Sequence, residues 1–167
     1  MTAIARRRAS SRGGPRGRTR GALDIAISRE PGVRAPTTAV VTSVVGLVLR
    51  AEGVRRAMLS VTFVGNRMIR QLNAKHLRKN RLTDVIAFTL AGADGRLVGD
   101  VYVAPDIARV AAAELGIPAR EEILRLVVHG VLHVLGFDHP EGGSRVTSEM
   151  WLRQESLLRR ALVASTR

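Results

Sequence analysis

Residues 120–135 form a candidate helix with almost no polar side. Ile123, Leu124, Leu126, Val127, Val128, Val131, Leu132, Val134 and Leu135 surround it. A helix that is apolar nearly all round belongs in a folded core rather than on its surface, so other elements must pack about this one. Four side chains interrupt it along a narrow stripe: Glu122, Arg125, His129 and His133. Buried polar groups cost several kcal/mol unless partnered, and such a stripe needs a reason.

Residues four apart on a helix differ by about 40° in azimuth, which stacks His129 and His133 on one face. Two imidazoles so placed can grip one metal ion. Gly136 suits a left-handed residue that ends the helix, after which the chain can fold back and His139 can offer a third nitrogen. A lone histidine here would read as a satisfied core residue, but three of the chain's four histidines fall within residues 129–139. Three protein ligands with an open position describe a catalytic zinc site rather than a closed structural one. The spacing His-x-x-x-His-x-x-Gly-x-x-His also matches the metzincin proteases, with one difference. Those carry Glu directly after the first His as general base, and Gly130 stands there in this chain. A metallopeptidase would lack its proton acceptor.

The chain of 167 residues is long enough for one domain with a sizeable core, and 46% of it is hydrophobic. Aromatic residues are scarce, so Val, Leu, Ile and Ala must fill that core. There is no cysteine, which removes disulfides and thiolate ligands and fits a reducing compartment. Apolar runs such as residues 40–49 are too short to cross a bilayer, and no hydrophobic segment follows the N-terminal arginines. The expectation is a soluble, cytoplasmic protein with no membrane partner. The formal charge is +13, and Arg6, Arg7, Arg8, Arg12, Arg16, Arg18 and Arg20 supply seven positive charges before the first acid, Asp24. Removing those seven from +13 leaves +6, a body still basic. Such charge is the electrostatic footprint of a nucleic-acid partner.

Residues 1–21 are Arg, Gly, Ser and Pro with little that packs, and are expected to be a disordered Arg-rich tail. The domain is expected over residues 22–164. Leu23, Ile25 and Ile27 alternate with polar or small residues in a first strand. Thr37 or Thr38 can cap a helix to Glu52, with Gly53 after it. Leu59, Val61 and Phe63 mark a second strand, and Asn66 can cap a helix over residues 67–76. A third strand over residues 84–90 and a fourth over 98–103 flank the turn at Gly92 and Gly95. Pro105 opens a helix ending at Gly116, the helix at 120–135 follows, and Ser144 can cap a last helix to about Ala164. These elements sum to an α+β domain: a small mixed four-stranded sheet packed by about five helices, one a metalloprotease-like metal helix.

The segment from His129 to His139 resembles the signature His-Gly-x-Leu-His-Leu-x-Gly-Tyr-Asp-His of the YbeY family of bacterial rRNA maturation endoribonucleases. Leu72-Asn73, Thr83-Asp-Val-Ile-Ala-Phe88 and Gly99-Asp-Val-Tyr-Val103 resemble further family blocks in the expected order. The resemblance implies a zinc-dependent, single-strand-specific endoribonuclease acting in 16S rRNA 3′-end maturation and ribosome biogenesis. It also implies one zinc ion on His129, His133 and His139, and partners that include rRNA, the small ribosomal subunit and ribosomal or assembly proteins. The chain departs from the family where an arginine is usual and Leu77 stands, where proline is usual and Leu82 stands, and where some members carry histidine and Arg125 stands. These departures bear on the catalytic constellation rather than on the fold or the metal site.

Arg78 and Arg125 are candidates to stabilise developing phosphate charge, or are simply solvated or RNA-positioning cations. Asp138 is a candidate to orient a ligand histidine, or a turn residue bonding its own backbone. Asp84 and Asp100 could line the cleft, or cap and turn the chain. His76 reads as a surface histidine and Met150 as core filler. The competing functional reading is a non-catalytic, RNA-binding ribosome-assembly factor whose metal stabilises its fold.

Overall fold

The computed structural model describes residues 3–7, 22–90, 92, 95–138 and 148–164. Ten elements follow in order: β1 (Ala3–Arg7), β2 (Leu23–Arg29), α1 (Thr38–Ala51), β3 (Ala57–Phe63), α2 (Asn66–Leu77), β4 (Val85–Leu90), β5 (Leu97–Val103), α3 (Pro105–Leu115), α4 (Ala119–Val134) and α5 (Glu149–Ala164).

Strands with alternating apolar residues can cover a core with one face only. In β3 the buried residues Ala57, Leu59, Val61 and Phe63 alternate with Met58, Ser60 and Thr62. The sheet order is β1-β4-β5-β3-β2. β3 runs parallel to both β2 and β5, β4 is antiparallel to β5, and β1 is parallel to β4. All four expected strands therefore form, in a mixed sheet, and the α+β class holds. A fifth strand departs from expectation, because β1 lies inside the stretch expected to be disordered. An edge strand needs only its backbone groups to pair, a property that a search for packable side chains does not detect. The rest of that stretch lies outside the described residues.

One face of the sheet carries the main core. Leu59, Val61, Val85, Ala87, Val101 and Val103 pack there with α1, α4 and α5. The opposite face presents Ile86 and Phe88 to a smaller cluster with Val64, Ile69 and Ala104, bordered by Leu72 and Leu77 of α2. α4 is the hub, touching α1, α3, α5, β4 and β5, as its apolar surface requires. Two glycines set how closely it lies on the sheet. A Cβ on Gly130 would collide with the Val101 side chain, and one on Gly99 with Val134.

Local signals placed most helix ends. The Thr37 hydroxyl accepts from the Val40 amide at 3.4 Å and starts α1. Two starts differ from expectation. Gly65 rather than Asn66 caps α2, and its amide donates to Glu30 Oε2 at 2.6 Å, a partner 35 residues earlier. α5 begins at Glu149, with the Ser148 hydroxyl accepting from the Trp151 amide at 3.2 Å. Ser144, the expected cap, lies outside the described residues.

Candidate metal centre

The site begins with the way α4 ends. Gly136 takes φ +94°, its amide donates to the His133 carbonyl at 3.0 Å, and the Phe137 amide donates to the Leu132 carbonyl at 3.0 Å. This pair of bonds is the Schellman ending that a left-handed glycine permits. It reverses the chain so that the Phe137 carbonyl comes back onto α4 and meets His133 Nδ1 at 2.8 Å. The guanidinium carbon of Arg153 lies 5.2 Å from the centre of the Phe137 ring, fixing the turn against α5.

His129 meets a different partner. Its Nδ1 is 2.6 Å from Gln154 Oε1, and Gln154 is buried on α5 at 2% exposure. The Gln154 amide nitrogen donates to Glu155 Oε1 at 3.0 Å, which leaves its carbonyl oxygen for the histidine. A carbonyl only accepts, so both Nδ1 atoms carry the proton and both Nε2 atoms present a lone pair. Those two Nε2 atoms face each other at 3.0 Å. Two lone pairs at that separation repel unless a cation lies between them. Two nitrogens on one tetrahedral zinc, each at 2.0–2.1 Å, would stand about 3.3 Å apart. The expected histidine pair thus forms, is buried, and suits a shared ion.

His139 lies outside the described residues. Among the described residues, no group of three His, Cys, Asp or Glu side chains is placed to hold a metal ion.

The other candidates spread out. Arg125, one turn before His129, is surrounded by carboxylates: Nε meets Glu155 Oε1 at 2.9 Å, Nη2 meets Glu121 Oε1 at 2.9 Å, and Nη1 meets Glu122. Burial opposes the Arg125 cation, but hydrogen bonds and charge from Glu155 and Glu122 outweigh it and hold its pKa above the ordinary arginine value. Its guanidinium is already committed within the protein. Arg78 is exposed and left-handed, φ 55°, at the end of α2. Asp138 is exposed, and the Nδ1 positions it might have served on His129 and His133 belong to Gln154 and Phe137. Asp84 accepts from the Val85 amide at 2.9 Å, a local turn role. Met150 is buried in the core.

His76 departs from the expected surface position. It is half-buried, its ring edge-on to Phe88 at 5.1 Å. With Leu72, Phe88, Leu90, Asp100 and Tyr102 it lines a small cleft of about 110 Å³ on the α2 face of the sheet. Asp100 accepts from the Ser60 hydroxyl at 2.5 Å there. Burial, and then the charge of Asp100, push the Tyr102 phenol above its ordinary pKa.

Sequence reasoning missed Gln154. The signal was present: it sits on the α5 face marked by Met150, Leu157, Leu158 and Ala161, a polar residue in an apolar stripe, as the histidines are on α4.

A family model described as Endoribonuclease YbeY matches residues 27–161. An endoribonuclease YbeY of Aquifex aeolicus is 40% identical over 99 residues, covering 58% of this chain and 66% of that protein. One from Persephonella marina is 34% identical over 119 residues, covering 69% of this chain and 78% of that protein. The solution structure of a Thermotoga maritima protein matches with a TM-score of 0.58 at 24% identity, over 85% of this chain and 91% of its own. That likeness concerns the fold alone. The matched span takes in α4, its glycine turn and Gln154. The chain belongs to the endoribonuclease YbeY family.

Proposed function

We propose that the chain is a metal-dependent endoribonuclease that hydrolyses phosphodiester bonds in single-stranded RNA, with one zinc ion held by His129, His133 and His139. The observation that carries this reading is the pair of Nε2 atoms at 3.0 Å, each imidazole turned by an acceptor on its far side. Family membership supports the RNA substrate. Bound there, the ion would supply a water of lowered pKa and polarise a phosphoryl oxygen.

The chain's own residues contribute orientation and exclusion of water. Gln154 and the Phe137 carbonyl keep the two rings in the ligating tautomer. The apolar body of α4, packed between sheet and α5, keeps solvent off the rear of the site. Asp138, beside His139 in sequence, is the proposed orienting group for that third ligand. Arg78 is a candidate phosphate contact from the end of α2, and the basic surface concentrates RNA near the protein.

Within this proposal the cleavage belongs to 16S rRNA 3′-end maturation and ribosome biogenesis in the cytoplasm, with the small ribosomal subunit and ribosomal or assembly proteins as partners. No helix among the described residues is long and apolar enough to cross a membrane. A second reading, an RNA-binding assembly factor with a stabilising metal, draws on two observations. Leu77 packs against the small apolar cluster, and the Arg125 guanidinium is held by Glu121, Glu122 and Glu155. The peptidase reading loses further ground, because any side chain at Gly130 would drive into Val101.

The test is turnover of single-stranded and double-stranded RNA by the metal-loaded protein, beside His133→Ala matched for folding by circular dichroism. The proposal expects cleavage of single strands by the wild type alone. Equal turnover by both proteins removes the metal-hydrolase reading. No turnover by either, with zinc bound by the wild type, favours the assembly factor.

A further inference from the structure

The carboxylate cage around Arg125 and the histidine pair are joined by one residue. Gln154 accepts from His129 with its carbonyl oxygen and donates to Glu155 with its amide nitrogen. A primary amide can be turned either way round, and the two orientations have opposite consequences for the histidine. With the carbonyl toward His129, Nδ1 keeps the proton and Nε2 is a ligand. With the NH2 group toward it, Nδ1 must accept, the proton moves to Nε2, and the nitrogen facing His133 can no longer bind a cation.

Glu155 decides between them. An ionised carboxylate only accepts, so the amide end facing it must be NH2. The carboxylate is itself held by an arginine fork, with Arg125 Nε at 2.9 Å from Oε1 and Nη2 at 3.5 Å from Oε2. Arg125 is anchored from its other side by Glu121 at 2.9 Å and by Glu122. Without that cation, Glu155 would face two like charges and turn away, releasing Gln154.

We propose that Arg125 and Glu155 are a positioning pair that sets the tautomer of His129 through Gln154, and thereby the affinity of the site for its metal. The affinity part rests on the metal reading given above; the tautomer part does not. On this view the charged half of the α4 stripe serves the histidine half across the α4–α5 contact.

The experiment reads tautomer and affinity separately, in the full chain. Long-range proton–nitrogen correlation spectra of the metal-free protein report which nitrogen of His129 bears the proton. Zinc affinity is measured by competition with a chelator. The wild type is expected to show Nδ1–H. Arg125→Met and Glu155→Ala are expected to show a mixture of tautomers and roughly tenfold weaker zinc binding, and Gln154→Met a loss of about 10–100-fold. Arg125→Lys, which keeps the charge without the fork, should recover part of the loss. Arg109→Met, removing an ion-paired arginine on α3, should change neither reading. Circular dichroism identifies the variants that fold, and Glu155→Ala serves if Arg125→Met does not. An Nδ1–H tautomer retained in the folded variants overturns the proposal, as does unchanged zinc affinity. A wild type that binds no zinc defeats the metal reading, while the tautomer spectra still judge the network.

Discussion

The polar stripe of α4 has two halves of opposite character. In the first, Arg125 meets Glu121, Glu122 and Glu155, so the guanidinium of a half-buried cation is taken up by carboxylates of its own chain. In the second, one turn along the same face, His129 and His133 turn two acceptor nitrogens toward each other at 3.0 Å. Both halves place polar groups in an apolar helix, and burial alone would not distinguish them. The distinction lies in how donors and acceptors match: in the first half the donors of Arg125 meet acceptors of the same chain, whereas in the second two acceptors face each other and the proposed cation would lie between them. A buried polar cluster points to function when its groups are mutually unfavourable as they stand.

The largest effect should come from breaking the second half. His133→Ala removes a proposed ligand and should lower zinc affinity and RNA turnover by more than about 100-fold, beyond the loss expected for an outer-shell partner, while the circular dichroism spectrum is kept. Metal analysis and the RNA assay check it. Wild-type zinc content in that variant would show that the two halves do not differ in the way described.

Breaking the first half should be felt as stability. Arg125→Met strands three carboxylates in a partly buried site and should cost about 2–3 kcal/mol in urea unfolding, discounted from the 3–5 typical of a fully buried pair because the arginine side chain retains 14% exposure. An unchanged urea midpoint would contradict the structural part of that assignment, leaving only the positioning role that the zinc affinity reads.

The sheet-facing side of α4, reached at Gly130 about 100° round the helix from His129, sets how close the helix lies to the sheet. Gly130→Ala should destabilise by about 1–3 kcal/mol through overpacking against Val101, despite alanine's better helix propensity. Unchanged unfolding midpoints would mean that the helix can lift from the sheet at little cost.

The smallest effect lies across the sheet, where no metal reading applies. The folded-state pKa of Tyr102 is raised, so the folded protein keeps its phenol proton where the unfolded chain loses it. That contribution to stability is present below about pH 10, the ordinary phenol value, and is lost as pH rises through the folded pKa. Tyr102→Phe should flatten the alkaline limb of stability against pH, with little change at neutrality.

Much of the fold was legible because its signals are local. The alternation in β3, the all-round apolarity of α4 and the glycine after it act within a few residues, and the elements formed there. The histidine pair was legible for the same reason, since four-residue spacing on a helix is a geometric statement. The misses are contacts between distant segments. Gly65 capped α2 in place of Asn66 because Glu30 reached its amide. His76 became half-buried because α2 lies against Phe88. The edge strand β1 formed through backbone pairing with β4, to which side-chain composition is blind.

From the sequence alone came the helix, its imidazole pair, the glycine that ends it and the exclusion of a carboxylate after His129, each a consequence of spacing and residue type. The tertiary structure decided what those imidazoles are: Gln154, 25 residues on, and the returning Phe137 carbonyl chose their protonated nitrogens. It also turned Arg125 from a candidate phosphate contact into a partner of Glu155, 30 residues away. A side chain's type and spacing state what it can do. Which proton it holds and which charge it faces depend on groups that only folding brings within about 3 Å.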